Sequence, residues 1–80
     1  MTINQAVAIR VRELLKEKNM SQYKLEQETG LYHSTMNAIL NNRVKASNFK
    51  SIALIGKALG MSLSDFFNNP VFNFDNINIE

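Results

Sequence analysis

The sequence contains no cysteine, so neither a disulfide framework nor a thiolate metal site can support the fold, and stability has to come from apolar packing. A chain without cysteine also suits a reducing, cytoplasmic compartment. There is one histidine, no glycine-rich phosphate loop, and the carboxylates are scattered over helix-forming stretches. A catalytic centre needs converging nucleophile, base or metal ligands. With only His33 and hydroxyls to build one, the sequence reads as a non-enzyme that uses no metal or other cofactor. Apolar runs extend a few residues, far short of the ~20 that a membrane span requires. The N-terminus has neither the charged start nor the apolar stretch of a signal peptide. The expectation is a soluble cytoplasmic protein with no membrane contact. Eighty residues make one domain, and a chain of this length buries only about 60% of its unfolded surface, so its core must be well patterned.

The net charge of +2 is too small to name a partner, but its distribution is informative. Acidic residues fall at Glu13, Glu17, Glu26 and Glu28 and again at Asp65, Asp75 and Glu80, while Thr29 to Ser64 holds none. That stretch carries Arg43, Lys45, Lys50, Lys57 and His33. A segment of basic charge alone is the footprint of a phosphate-facing surface, although a solvated lysine face produces the same pattern.

Apolar spacing predicts five helices. From Ile3 to Lys18, Val7, Val11, Leu14 and Leu15 form one buried stripe. Ser21 caps a second helix, with Met20 and Leu25 spaced as a hydrophobic staple, and Gly30 ends it in the left-handed region. Leu31 and Met36 repeat the staple around a third helix that begins near Tyr32, itself a poor cap. Met36, Ile39 and Leu40 turn inward, leaving His33, Ser34, Asn37, Ala38 and Asn41 outward. Asn42 offers a left-handed end. After Arg43-Val44-Lys45, Ser47 or Asn48 caps a fourth helix with an inner face of Phe49, Ile52, Ile55 and Leu59. Ser62 with Asp65 has capping-box spacing, and Met61 with Phe66 forms the third staple, starting a short fifth helix. Pro70 closes the helical part, which makes residues 1–69 the folded domain and 70–80 a tail.

Two short helices joined at Gly30-Leu31, the second with a small and polar outer face, make a helix-turn-helix. To enter a major groove about 12 Å wide, a helix must stand proud of its domain and carry side chains short enough to approach base edges. A surface helix kept merely soluble more often carries Lys and Glu, and neither occurs between Gly30 and Asn42.

The pieces Val11-Arg12-Glu13-Leu14, Met20-Ser21-Gln22-Tyr23-Lys24-Leu25, Thr29-Gly30-Leu31, Ser34-Thr35-Met36 and Lys57-Ala58-Leu59-Gly60-Met61-Ser62, in this order and spacing over about residues 7–67, resemble the phage repressor and Cro family, also called XRE-type regulators. The resemblance implies an all-α, compact five-helix bundle of the lambda-repressor-like type that binds double-stranded DNA as a transcriptional regulator, a repressor in most readings, associated with the nucleoid when bound. It places a phosphate contact at Gln22, base readers at Tyr32, His33, Ser34, Asn37 and Ala38, and backbone contacts at Asn41, Asn42, Arg43, Lys45 and Asn48. For each of these the plain alternative is a solvated surface side chain. The sequence departs from the family where many members pair an arginine late in helix one with a glutamate near the end of helix three. Those positions are Leu15 and Leu40, an apolar pair that avoids desolvating two charges. Glu26 and Gly56 stand where alanine is frequent.

The tail alternates Phe72 and Phe74 with Asn73 and Asp75, then Ile77 and Ile79 with asparagines, which suggests a short C-terminal β strand or hairpin. Such a hairpin is not stable alone. Pairing with a second copy through Phe72, Phe74, Ile77 and Ile79 would give a homodimer suited to a pseudo-palindromic operator. A disordered tail, or one folded back with Phe72 in the core, is the alternative. An antitoxin-type module of the same fold, binding a toxin partner while autoregulating its operon, is the second functional reading.

Overall fold

A computed structural model of the chain describes residues 1–41 and 48–79. The first helix, α1 (Ile3–Glu17), starts at a capping box. The Thr2 hydroxyl accepts from the Gln5 N–H at 3.1 Å, and Gln5 Oε1 accepts from the Thr2 N–H at 2.7 Å. It ends where Asn19 takes φ 52 and the Met20 N–H reaches back to the Leu15 carbonyl at 2.9 Å, closing off carbonyls that the helix leaves unpaired.

Ser21 caps α2 (Gln22–Thr29) as its position predicts, accepting from the Lys24 N–H at 3.0 Å. Gly30, at φ 74, stops it. Thr29 then clips the turn, its hydroxyl donating to the Leu25 carbonyl at 2.8 Å and accepting from the Leu31 N–H at 3.2 Å. The clip fixes where α3 (His33–Leu40) begins. Tyr32, its N-cap, gives no side-chain hydrogen bond. Asn48 caps α4 (Phe49–Ala58) through the Ser51 N–H at 2.8 Å, and Ser62 caps α5 (Leu63–Phe67) through the Asp65 N–H at 3.0 Å. Ser47, the other candidate cap, and Asn42 lie outside the described residues.

One apolar cluster joins all five helices: Val7, Val11, Leu14 and Leu15 from α1, Leu25 from α2, Met36, Ile39 and Leu40 from α3, Ile52 and Ile55 from α4 with Leu59 just beyond it, and Phe66 from α5. Leu15 and Leu40, the apolar replacement for an ion pair, are both buried in it. Gly56 belongs to the last turn of α4. Its carbonyl accepts from the Met61 N–H at 3.0 Å, and an added Cβ would sit 3.4 Å from the Met61 carbonyl oxygen.

Two arginines of α1 tie the ends of other helices. Arg10 falls on the buried stripe, only 8% exposed, and donates from Nε to the Phe66 carbonyl at 2.7 Å and from Nη2 to the Asp65 carbonyl at 2.9 Å. Arg12 donates from Nε and Nη2 to the Leu40 carbonyl at 3.0 and 2.7 Å. A cation at a helix C-terminus faces the negative end of the dipole and satisfies orphan carbonyls together.

Two expectations fail. Phe49 is 82% exposed rather than inward. As the first residue of α4 its side chain leans toward the helix start, beyond the packed layer, where it borders an apolar groove of about 300 Å3 with Ile3, Val7, Ile52 and Phe67. The tail forms no strand among the described residues. Asn69 caps a 3-10 turn, Pro70–Phe72, through the Val71 N–H at 2.9 Å. Phe72 meets Phe66 and Phe67 at centroid distances of 6.0 and 4.9 Å. The asparagines close turns instead of pairing a ladder: Asn76 N–H to the Asn73 carbonyl at 2.8 Å, and Asn76 Nδ2 to the Pro70 carbonyl at 2.8 Å. The chain then returns to its own beginning, where the Asn78 N–H donates to the Met1 carbonyl at 2.7 Å and the Met1 ammonium to the Asn76 carbonyl at 3.1 Å. Of the expected dimer residues, Phe72 and Ile77 therefore pack within their own domain, while Phe74 and Ile79 are exposed.

Removing the guanidinium in Arg10→Ala leaves the buried bond to the Phe66 carbonyl and the part-buried one to the Asp65 carbonyl unmade, and the expected loss is about 1.5–3 kcal/mol. Leu40→Ala should cost about 2–5 kcal/mol. Urea unfolding of each variant checks both, and a change of less than about 0.5 kcal/mol, the ordinary surface range, would contradict either assignment.

Candidate nucleic-acid interface

The interface is built on α3, a helix too short to be stable by itself. Met36, Ile39 and Leu40 are 0–3% exposed, so the helix is held by one stripe. The residues expected to read bases lie on the other side: Tyr32 at the N-cap, 81% exposed, then His33 and Ser34 exposed in the first turn, with Asn37 and Ala38 half-buried one turn on. Gln22, the expected phosphate contact, is the first residue of α2 and half-buried. Asn41 follows α3 and is exposed. Asn48 stands at the start of α4 with its side-chain oxygen committed to the helix cap, so the amide nitrogen is what it has left to offer a phosphate. Arg43 and Lys45, the expected phosphate-binding cations, lie outside the described residues.

Two hydrogen-bond chains organise this face, and each begins at a charged group of unambiguous polarity. Arg12 can only donate. Its Nη2 donates to Asn41 Oδ1 at 3.2 Å, which turns the Asn41 amide nitrogen toward Asn37, where it donates to Oδ1 at 2.9 Å and to the main-chain carbonyl at 2.8 Å. The Asn37 amide is thereby oriented, and among the described residues Nδ2 makes no hydrogen bond. On the other side stands Glu26, whose carboxylate can only accept. Oε2 takes a hydrogen bond from Gln22 Nε2 at 2.9 Å and lies 2.7 Å from His33 Nδ1. The carboxyl is held below the ordinary value of 4.5, first by the hydrogen bond from Gln22, against the opposing effect of burial, with His33 adding a hydrogen bond and charge attraction. Neither Arg12 nor Glu26 was among the candidate site residues. Arg12 reads in sequence as one more solvated charge on α1, and Glu26 lies seven residues before His33 on another helix, a pairing that periodicity within one helix does not reveal.

Among the described residues no group of three His, Asp or Glu side chains is placed to hold a metal ion, and no helix is long and apolar enough to cross a membrane.

The sequence model of the Cro/C1-type HTH DNA-binding domain matches residues 10–70. The chain belongs to this family. The Cro/C1-type chain is also similar to the crystal structure of prophage Lp1 protein 11, with a TM-score of 0.83 and 30% identity over 91% of this chain and 96% of that one. No curated protein matches the sequence. As a Cro/C1-type domain, the chain has the architecture of a DNA-binding regulator.

Because the Glu26 carboxyl binds its proton less readily folded than unfolded, its stabilising share is present above the ordinary carboxylate value and is lost as pH falls through the lower, folded value. The stability of Glu26→Ala should accordingly fall less steeply than that of the wild type on acidification below about pH 4.5. Urea unfolding at a series of pH values measures this, and parallel acid limbs would contradict it.

Proposed function

We propose that this Cro/C1-type protein is a sequence-specific regulator of transcription, acting as a repressor, that lays the outward face of α3 in the major groove of double-stranded DNA. The observation that carries the reading is the composition and mounting of that face: short, uncharged polar side chains on a helix held to the core by Met36, Ile39 and Leu40. Asn37 can accept from adenine N6 through Oδ1 and donate to N7 through Nδ2, and the Ala38 methyl can meet a thymine methyl. His33 and Ser34 read neighbouring bases, and Tyr32 stands at the groove edge. Gln22 at the start of α2, with Asn41, Arg43, Lys45 and Asn48, contacts the phosphates that set register.

A single reading head covers few bases, so two copies on a pseudo-palindromic operator supply the remaining specificity. Phe74 and Ile79, the exposed large apolar residues of the tail, are the apolar part of the tail available to such a pair. The likeness to a prophage protein supports a phage-type regulatory role.

Selection from random duplex DNA gives the preferred site. On it, Asn37→Ala should lose about 1–3 kcal/mol of affinity while binding to random DNA is nearly unchanged, and Arg43→Ala should weaken all sequences alike and flatten the salt dependence by about one unit. Equal losses of Asn37→Ala on selected and random DNA would remove α3 from base readout.

A further inference from the structure

Resting on the reading of α3 as the base-contacting helix, we infer that Glu26 is a positioning residue for specificity, fixing the imidazole of His33 so that an acceptor nitrogen faces the DNA and an amine-bearing base is selected. Histidine has two ring nitrogens, and in the neutral ring one donates while the other accepts. Which is which decides what the ring can read. Guanine presents only the acceptors N7 and O6 to the major groove, and thymine presents O4 and a methyl. Cytosine presents the N4 amine and adenine the N6 amine. A ring with its proton on Nε2 could therefore donate to guanine, thymine or adenine N7, whereas a ring with its proton on Nδ1 could accept only from the amines of cytosine or adenine.

Glu26 decides between them. Its Oε2 is 2.7 Å from His33 Nδ1, and an ionised carboxylate has no proton to give, so the proton on this contact belongs to the imidazole. The hydrogen bond from Gln22 to the same oxygen favours the ionised form further. With Nδ1 donating inward, neutral His33 carries its lone pair on Nε2, which makes no hydrogen bond among the described residues. Exposure separates the two roles. The His33 side chain is 73% exposed and Glu26 only 10%, so the histidine can touch a base and the glutamate acts through it. Gln22 and His33 come from different helices, so one carboxylate sets both a phosphate-contacting amide and a base-reading ring. Alanine, the residue common at this position in the resembling family, could do neither.

The test has two arms, both with the full chain at mildly alkaline pH. Long-range proton–nitrogen NMR of histidine-labelled protein, without DNA, should show the pyrrole-type signal on Nδ1 and the pyridine-type signal on Nε2. Glu26→Ala should move the ring toward the Nε2-protonated form. Glu26→Gln, whose amide oxygen still accepts, should restore the wild-type pattern. Selection from random duplexes then locates the His33 position as the one whose preference is lost in His33→Ala. The wild type should enrich cytosine or adenine there, Glu26→Ala should reduce that preference about threefold to tenfold and admit guanine and thymine, and Glu26→Gln should keep it. An Nε2-protonated ring in the free wild type overturns the inference, as does a Glu26→Ala variant with the wild-type base preference. A wild type that enriches no sequence, with the NMR pattern as expected, overturns the DNA reading itself and shows that the failure lies there and not in the tautomer.

Discussion

The outer face of α3, proposed above to read DNA, depends on the docking of that helix. Eight residues of helix cannot persist in water on their own hydrogen bonds, and α3 has no N-cap side-chain bond to help it. Three side chains, Met36, Ile39 and Leu40, supply the hold by entering a cluster to which every other helix contributes. The preceding turn limits the freedom that remains, since Gly30 takes the left-handed conformation while Thr29 clips the chain on both sides of it. With its inner stripe and its start both fixed, α3 has one face left to present.

A docked helix is still an imprecise reader, because amides and imidazoles can turn over and exchange donor for acceptor. Charged groups with a single polarity remove that ambiguity here. Arg12 orients Asn41 and, through it, Asn37, and the same guanidinium closes the end of α3 by donating to the Leu40 carbonyl. Glu26 does the corresponding work for Gln22 and His33. Arg12 thus both holds the end of the helix and sets the polarity of its outer face. Leu15 and Leu40, in place of the ion pair common in the family, leave the adjoining layer apolar, so among the described residues no buried carboxylate competes for this guanidinium.

Much of this was legible in the sequence, because the helix signals are local. Ser21, Asn48, Ser62 and Gly30 sit at helix ends where backbone groups need them, and the stripes of α1 and α3 follow helical periodicity. Effects that depend on distant partners were hidden. Arg10 occupied a stripe position, a visible signal, but the carbonyls it serves are 55 and 56 residues away. Phe49 followed the stripe of α4 correctly and still faces outward, because periodicity says nothing about where a layer ends. The tail alternates like a strand, yet Phe72 finds a place against Phe66 and Phe67, and its asparagines make turns that a two-residue period cannot distinguish from a ladder. Of the candidate site, the positions along α3 were readable from its inward stripe, whereas their hydrogen-bond polarity depended on α1 and α2 and was not.

The central claim is that the outer face of α3 lies in the major groove, and contacts between assigned protons test it most directly. In a complex of the labelled protein with a selected duplex, intermolecular nuclear Overhauser effects should connect Ala38, Asn37 and Ser34 to thymine methyl and cytosine H5 protons, which line the major groove. Contacts confined to adenine H2 in the minor groove, or contacts from the α1–α4 groove around Phe49 with none from α3, would contradict the account.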